Sequence, residues 1–226
     1  MNQDSWTAVD GYLAGALLAS DPVLEQALRS SDAAGLPAIQ VSPLQGKLLH
    51  LLARAQGARR ILEIGTLGGY SAIWLGRALP ADGRLVTLEM DARHAEVAQA
   101  NIDHAGLSRI VHLRLGPALE TLPRLVDEGA GPFDLVFIDA DKALIPEYFT
   151  WSLRLAQAGS MIIVDNVVRG GAVLDASSGD PDVQGLRRFN EQLSTEPRVT
   201  ATALQTVGGK GWDGFTLALM IAQEWG

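Results

Sequence analysis

The 226-residue chain contains no cysteine. Disulfides, zinc–thiolate sites and a cysteine nucleophile are thereby excluded, and nothing points to secretion. Positive charge is in deficit: 18 Lys and Arg stand against 26 Asp and Glu, a net charge of −8. Such a surface repels phosphate backbones and anionic lipid, so neither nucleic acid nor a membrane is indicated as a partner. No apolar run approaches the ~20 residues that a membrane span requires. The apolar stretch over 11–19 lacks the basic segment that precedes a signal peptide, with Asp4 and Asp10 there instead. It reads as an N-terminal amphipathic helix, and the expected compartment is the cytoplasm. Repeats, low-complexity tracts and linkers are also missing.

What is present reads as one globular α/β domain: 47% of residues are hydrophobic and 19% charged. The expected organisation is a helical cap over 1–56 and an α/β core over 57–226. In the cap, Asp21-Pro22 and Ser42-Pro43 each start a helix. Beyond Arg60 short apolar strands (61–64, 84–89, 110–115, 133–139, 161–165) alternate with helices (70–79, 91–105, 118–126, 146–156, 183–193). Such alternation implies a parallel sheet covered on both faces. The last two strand-like runs, 199–206 and 215–220, flank a glycine-rich stretch and suggest an antiparallel hairpin. A mostly parallel, seven-stranded sheet closed by such a hairpin is the layout of the fold of methyltransferases that use S-adenosylmethionine (SAM).

Two ends of this sheet carry candidate chemistry. Glu63-Ile64-Gly65-Thr66-Leu67-Gly68-Gly69-Tyr70-Ser71 joins the first strand to its helix. Glycines there let the backbone approach a ligand, but the spacing is not G-x-G-x-x-G, which weakens a dinucleotide-dehydrogenase reading. Glu63, two residues before the first glycine, suits a ligand with a positive amino group. Glu89 ends the second strand, where a carboxylate can accept bonds from both ribose hydroxyls. Gly116-Pro117-Ala118, after the third strand, can wall an adenine, although Gly-Pro is also ordinary turn chemistry.

Asp139 and Asp165 end the fourth and fifth strands, and Asn166 follows. Adjacent strands lie ~4.8 Å apart, and two carboxylates that close repel unless a cation or proton intervenes. Two carboxylates and an amide form a hard oxygen set suited to Mg²⁺. The histidines at 50, 94, 104 and 112 fall on other elements, so zinc is not indicated. Lys142, three residues after Asp139, would be a base if a dication beside it disfavours its charged form. Taken singly, each aspartate would equally serve as a helix or loop cap.

Together these residues resemble the cation-dependent O-methyltransferases that include catechol and caffeoyl-coenzyme A O-methyltransferases. The likeness runs from about Val41 to Met220. It is carried by Gln45-Gly46-Lys47, Glu63 through Ser71, Glu89, Gly116-Pro117-Ala118-Leu119, Asp139-Ala140-Asp141-Lys142 and Asp165-Asn166. The resemblance implies Asp139, Asp165 and Asn166 as ligands of Mg²⁺, or of Mn²⁺ or Ca²⁺, and Lys142 as the base. It implies SAM contacts from Val41, Glu63, Gly65, Leu67, Tyr70, Ser71, Glu89, Met90, Gly116, Pro117, Ala118 and Asp139. It also implies a homodimer and an acceptor such as a catechol-like vicinal diol. The chain has Ile145 where many relatives have Tyr. The loop 169–180 and the N-terminal region would set the acceptor, with Trp6 and Trp212 as candidate aromatic walls. Within the family a tRNA methyltransferase acting on hydroxylated uridine is the rival. Outside it the rivals are a nucleoside-binding module without catalysis and an NAD dehydrogenase.

Overall fold

The computed structural model describes residues 2–221; Met1 and residues 222–226 of the expected core lie outside these. Three helices come first: α1 (Gln3–Leu17), α2 (Pro22–Ala33) and α3 (Pro43–Gln56). α2 and α3 begin where the two X-Pro signals put them. Asp21 accepts N–H bonds from Val23 and Leu24, and Ser42 accepts one from Gln45. Proline follows at the first helical position, where a missing N–H costs nothing.

α1 departs from the expectation. It covers Gln3–Leu17 rather than 11–19, is capped by Asn2, and buries no residue. Tyr12 and Leu17 are 74% and 69% exposed. The helix therefore does not seat an apolar stripe on the core. It leans on the C-terminal hairpin through polar bonds, Gln3 Nε2 donating to the Gly208 carbonyl (2.9 Å) and Gly209 N–H donating to Asp10 (2.8 Å). Gly11, Ala14, Gly15 and Ala16 offer little surface to bury.

The core follows as β1 (Arg60–Ile64), α4 (Tyr70–Gly76), β2 (Arg84–Glu89), α5 (Ala92–His104), β3 (Val111–Leu115), α6 (Ala118–Asp127) and β4 (Phe133–Ile138). A 3₁₀ turn Lys142–Leu144 leads into α7 (Ile145–Leu155), then β5 (Ala156–Asp165) and a 3₁₀ segment Arg169–Leu174. The chain ends in α8 (Pro181–Thr195), β6 (Val199–Gly208) and β7 (Gly211–Met220). The seven strands lie in the order β3-β2-β1-β4-β5-β7-β6, with β7 antiparallel to both its neighbours. The expected mostly parallel sheet with a terminal hairpin is thus the observed one. The larger boundary shifts are in α4, β5 and the hairpin. α4 stops at Gly76 rather than 79. β5 starts at Ala156 rather than 161, with an irregular register between Phe133 and Leu135 of its partner. The hairpin ladder runs on to Gly208 and Gly211, so Gly209-Lys210 alone make the tip. Backbone ladder bonds need no side chain, and Gly208, Gly211 and Gly214, read as turn, are paired strand.

Alternate residues of the apolar strands serve opposite faces. Ile61, Leu135, Phe137 and Ile163 pack under α2 to α5. Leu62, Ile64, Val136, Ile138 and Val164 pack under α6 to α8. Burying each such side chain is worth roughly 1.5–3 kcal/mol. β1 pairs with β2 on one side and β4 on the other, so the strand order reverses there. The crevice outside the carboxyl ends of β1 and β4 is the switch point at which such sheets bind ligands.

Candidate active site

Glu63 is the fourth residue of β1 and wholly buried. Its Oε2 accepts from Thr87 Oγ1 (2.6 Å), which in turn lies 2.5 Å from Thr66 Oγ1. Oε1 has no hydrogen-bond partner among the described residues. Burial pushes the carboxyl up to about 7, opposed by the Ser71 and Thr87 hydroxyls and reinforced by the charges of Asp139 and Glu89. A buried carboxylate with an orphan oxygen is a receptor for a positive group. The loop from Gly65 to Gly69 starts in close contact with the other half of the crevice. Gly65 has φ +100°, and a β-carbon there would lie 2.8 Å from the Asp139 carbonyl carbon. Only glycine satisfies both constraints.

Glu89 holds this loop as well as facing it. One oxygen accepts N–H bonds from Thr66 (3.3 Å) and Leu67 (2.8 Å), the other from Met90 and Asp91 (2.9 Å each). The carboxylate at the end of β2 therefore ties together the β1–α4 and β2–α5 connections. Leu67 is kept at φ +50°, a conformation that a non-glycine residue adopts only under such constraint. Gly116 N–H donates to the Glu89 carbonyl (2.8 Å), which brings Gly116-Pro117-Ala118 beside it. Val41 and Tyr70 are buried in one apolar cluster, and Ser71 follows Tyr70 in the first turn of α4. Met90 is 72% exposed.

On the other side, the register pairs Ile138 of β4 with Val164 of β5. The next residues, Asp139 and Asp165, therefore stand side by side at the carboxyl edge. Lys142, 6% exposed, donates to Asp139 Oδ1 at 2.8 Å. Burial drives the Asp165 carboxyl upward, the Asp139 charge adds to this, and Lys142 only partly offsets both. A buried and a half-buried carboxylate facing one ammonium leave negative charge that a further cation would neutralise. Asn166, at φ +59°, donates its N–H to Asp165 Oδ1 (2.8 Å). No cluster of three His, Cys, Asp or Glu side chains occurs among the described residues. The oxygen set of Asp139, Asp165 and the Asn166 amide fits a hard dication rather than zinc.

Three residues beside the site, Gln45, Gly185 and Asp213, were given no site role in the sequence analysis. Gln45 reaches Asp165 from α3. Gly185 of α8 lies against the backbone of Lys142 and Ala143. Asp213 Oδ1 accepts N–H bonds from Val168 (2.9 Å), Arg169 (3.0 Å) and Gly214 (2.9 Å), pinning the loop after Asn166 to β7. Trp212 packs on Gly171 in that loop and donates to Gln205 (3.0 Å), whereas Trp6 lies on α1. Asp213 carried a local signal, an acid between glycines. The others depend on contacts across the chain.

A model of the O-methyltransferase family matches residues 17–221 of this chain. The chain belongs to the O-methyltransferase family. A catechol O-methyltransferase of Niastella koreensis is 54% identical over 97% of this O-methyltransferase and 100% of its own length. One of Mycobacterium tuberculosis is 54% identical over 94% of each chain. Among solved structures, an O-methyltransferase from Bacillus cereus in complex with SAH superposes with TM-score 0.96 at 54% identity, over 97% of this chain and 100% of that one. An O-methyltransferase from Streptomyces achromogenes, involved in tomaymycin synthesis and in complex with SAM, has TM-score 0.95 at 53% identity, over 98% and 100%. The fold of this O-methyltransferase is therefore that of the SAM-dependent methyltransferases.

Proposed function

We propose that this O-methyltransferase moves the methyl group of SAM to one oxygen of a catechol-like vicinal diol, with the help of a divalent cation. The observation that carries the reading is the juxtaposition of Asp139 and Asp165 beside Lys142 and Asn166, one strand from the Glu63–Gly65 loop. Relatives that match nearly the whole chain are named for the same acceptor class.

SAM supplies a methyl group on a cationic sulfur. The orphan Glu63 oxygen faces a positive amino group, Glu89 shares carboxylate oxygens that each already accept two N–H bonds with the ribose hydroxyls, and Gly116-Pro117-Ala118 wall the base. Asp139, Asp165 and Asn166 would hold Mg²⁺ or Mn²⁺, which lowers the pKa of a hydroxyl beside it. Lys142 Nζ, held beside Asp139, is the group proposed to take the hydroxyl proton. The acceptor oxygen then attacks the methyl carbon as the carbon–sulfur bond breaks, its electron pair staying on sulfur so that SAH leaves as a neutral thioether, and positioning does most of the work.

The tRNA reading gains no support. The basic cluster Arg84, His112 and Arg114 lies on β3 and the start of β2 at the sheet edge, away from Asp139 and Asp165, and Arg114 is paired with Glu128. A second copy of the chain is the partner proposed for the exposed apolar residues of α1 and β6, among them Tyr12, Leu17, Leu204 and Val207. Light scattering should then give twice the chain mass. No described helix is long and apolar enough to cross a membrane; the cytoplasm remains the compartment proposed.

The deciding assay is methyl transfer to a catechol by the purified protein. Activity should stop with EDTA and return with Mg²⁺ or Mn²⁺, and Asp165→Ala should abolish it with the fold intact. Full activity in EDTA after dialysis would remove the cation. Salt-sensitive methylation of hydroxylated tRNA, with no catechol turned over, would replace the acceptor.

A further inference from the structure

We propose that Gln45 is a positioning residue for Asp165, through which helix α3 sets the geometry of the cation site; the inference rests on the cation reading above. Gln45 Nε2 donates to Asp165 Oδ2 at 2.6 Å, across 120 positions of sequence. The other oxygen, Oδ1, accepts the Asn166 N–H at 2.8 Å. Asp165 is 3% exposed, so solvent does not share in fixing it. With one donor on each oxygen, the carboxylate plane is held against rotation. Each oxygen keeps a further lone pair for a cation.

The local sequence makes this bond unexpected. Ser42-Pro43-Leu44-Gln45 has the spacing of a capping box, in which the glutamine side chain returns to the N–H of the cap residue. Half of the box is made, Ser42 Oγ accepting the Gln45 N–H at 3.2 Å. The Gln45 side chain turns instead to Asp165. The residue type also matters. A neutral amide donates a proton without neutralising Asp165, so the charge remains available to a cation. A lysine there would compete with the cation, and a carboxylate would repel Asp165.

The support is rigid. Gly46, next to Gln45 and buried, packs directly on the indole of Trp74 in α4, and Lys47 lies over the same ring at 5.8 Å. α4 itself starts at Tyr70, where the loop from Gly65 ends. Gln45 therefore links the element that follows the cofactor loop to the carboxylate at the end of β5. Groups that orient a metal ligand typically contribute about 10–100-fold in metal affinity or activity.

Calorimetric titration of Mg²⁺ into the whole protein tests this, with SAM affinity measured separately in EDTA. Gln45→Met keeps length and removes the donor; Gln45→Asn keeps the amide but falls one methylene short. Both should weaken Mg²⁺ binding by about 10–100-fold and raise the Mg²⁺ concentration for half-maximal methylation, with SAM affinity in EDTA unchanged. A merely structural role would move both affinities together. Either variant, folded by near-ultraviolet circular dichroism and binding Mg²⁺ as tightly as the parent, overturns the proposal. Equal losses in Mg²⁺ and SAM affinity overturn it too. A parent protein that binds no divalent cation would instead sink the cation site itself, and Gln45's role with it.

Discussion

Gly185→Ala tests whether Lys142 is held in place by backbone packing. Gly185 lies within α8 and has no left-handed backbone. Alanine for glycine in a helix ordinarily stabilises by about 0.5–1 kcal/mol. Here the added β-carbon would lie 2.6 Å from the Ala143 α-carbon and 2.9 Å from its carbonyl carbon, and inside the surface of the Lys142 carbonyl oxygen. Carbon atoms in contact sit ~3.5–4.0 Å apart, so α8 and the Lys142–Leu144 turn must part by about 1 Å. α8 cannot retreat freely, because Leu186 and Phe189 are fully buried and Arg188 donates to the Ala143 carbonyl (3.0 Å). Overpacking of this kind costs about 1–3 kcal/mol, which outweighs the helical gain and leaves a net loss of roughly 1–2 kcal/mol. The larger effect should be on turnover. Lys142, the proposed base, moves with its turn, and a misplacement of about 1 Å at a catalytic group can cost 10²-fold in rate. Initial rates of catechol methylation at saturating SAM and Mg²⁺, thermal melts and SAM calorimetry separate the effects. The expected pattern is kcat down about 10²-fold, a lower Tm and unchanged SAM affinity. A Gly185→Ala protein more stable than its parent and as active would refute the argument that this contact positions the base.

The remaining predictions concern groups on both sides of the crevice. Burial pushes Glu63 from 4.5 up to about 7, so the folded protein holds a proton that the unfolded chain has released. Its contribution to stability is complete below the unfolded pKa and is lost as pH rises through about 7. Melts from pH 5 to 8 should show a fall of up to about 3 kcal/mol that Glu63→Gln flattens; identical pH profiles would show that Glu63 ionises normally. SAM binding, if its amino group meets ionised Glu63, should tighten over the same range. Glu89→Ala should weaken SAM binding by about 1.5–3 kcal/mol per lost charge-assisted bond. It should also speed amide exchange at Thr66, Leu67, Met90 and Asp91, since their N–H groups lose an acceptor; unchanged exchange would contradict the clamp. Lys142→Met should cut turnover by about 10²–10⁴-fold while SAM affinity holds. A much milder loss would demote the lysine to an orienting role.

Much of the molecule was legible in one dimension, because its rules are local. The starts of α2 and α3 follow from Asp-Pro and Ser-Pro, whose side-chain oxygen and fixed φ act within one turn. The inner parallel strands show as apolar runs because they are buried on both faces, and the acids at or just past the ends of β2, β4 and β5 mark the ligand edge. Glu63, Glu89, Asp139 and Asp165 could be named as candidates from position alone. Burial on α1 could not, since an apolar stretch does not say whether a partner surface exists within the same chain, and here it buries no residue.

What only the tertiary structure decided is how those candidates are held. Glu89 was readable as a ligand group, yet its four bonds to backbone N–H groups of two separate connections arise only when β1 and β2 pair. Gln45 reads as half of a local cap until α3 lies beside the end of β5. Gly185 reads as a flaw in a helix until the Lys142 turn is packed against it. The physical reason is common to all three. Which residues carry charge is a property of the sequence, but a hydrogen bond or a close contact depends on distances between segments far apart along it. Those distances are set by sheet order and helix packing, not by any neighbouring residue.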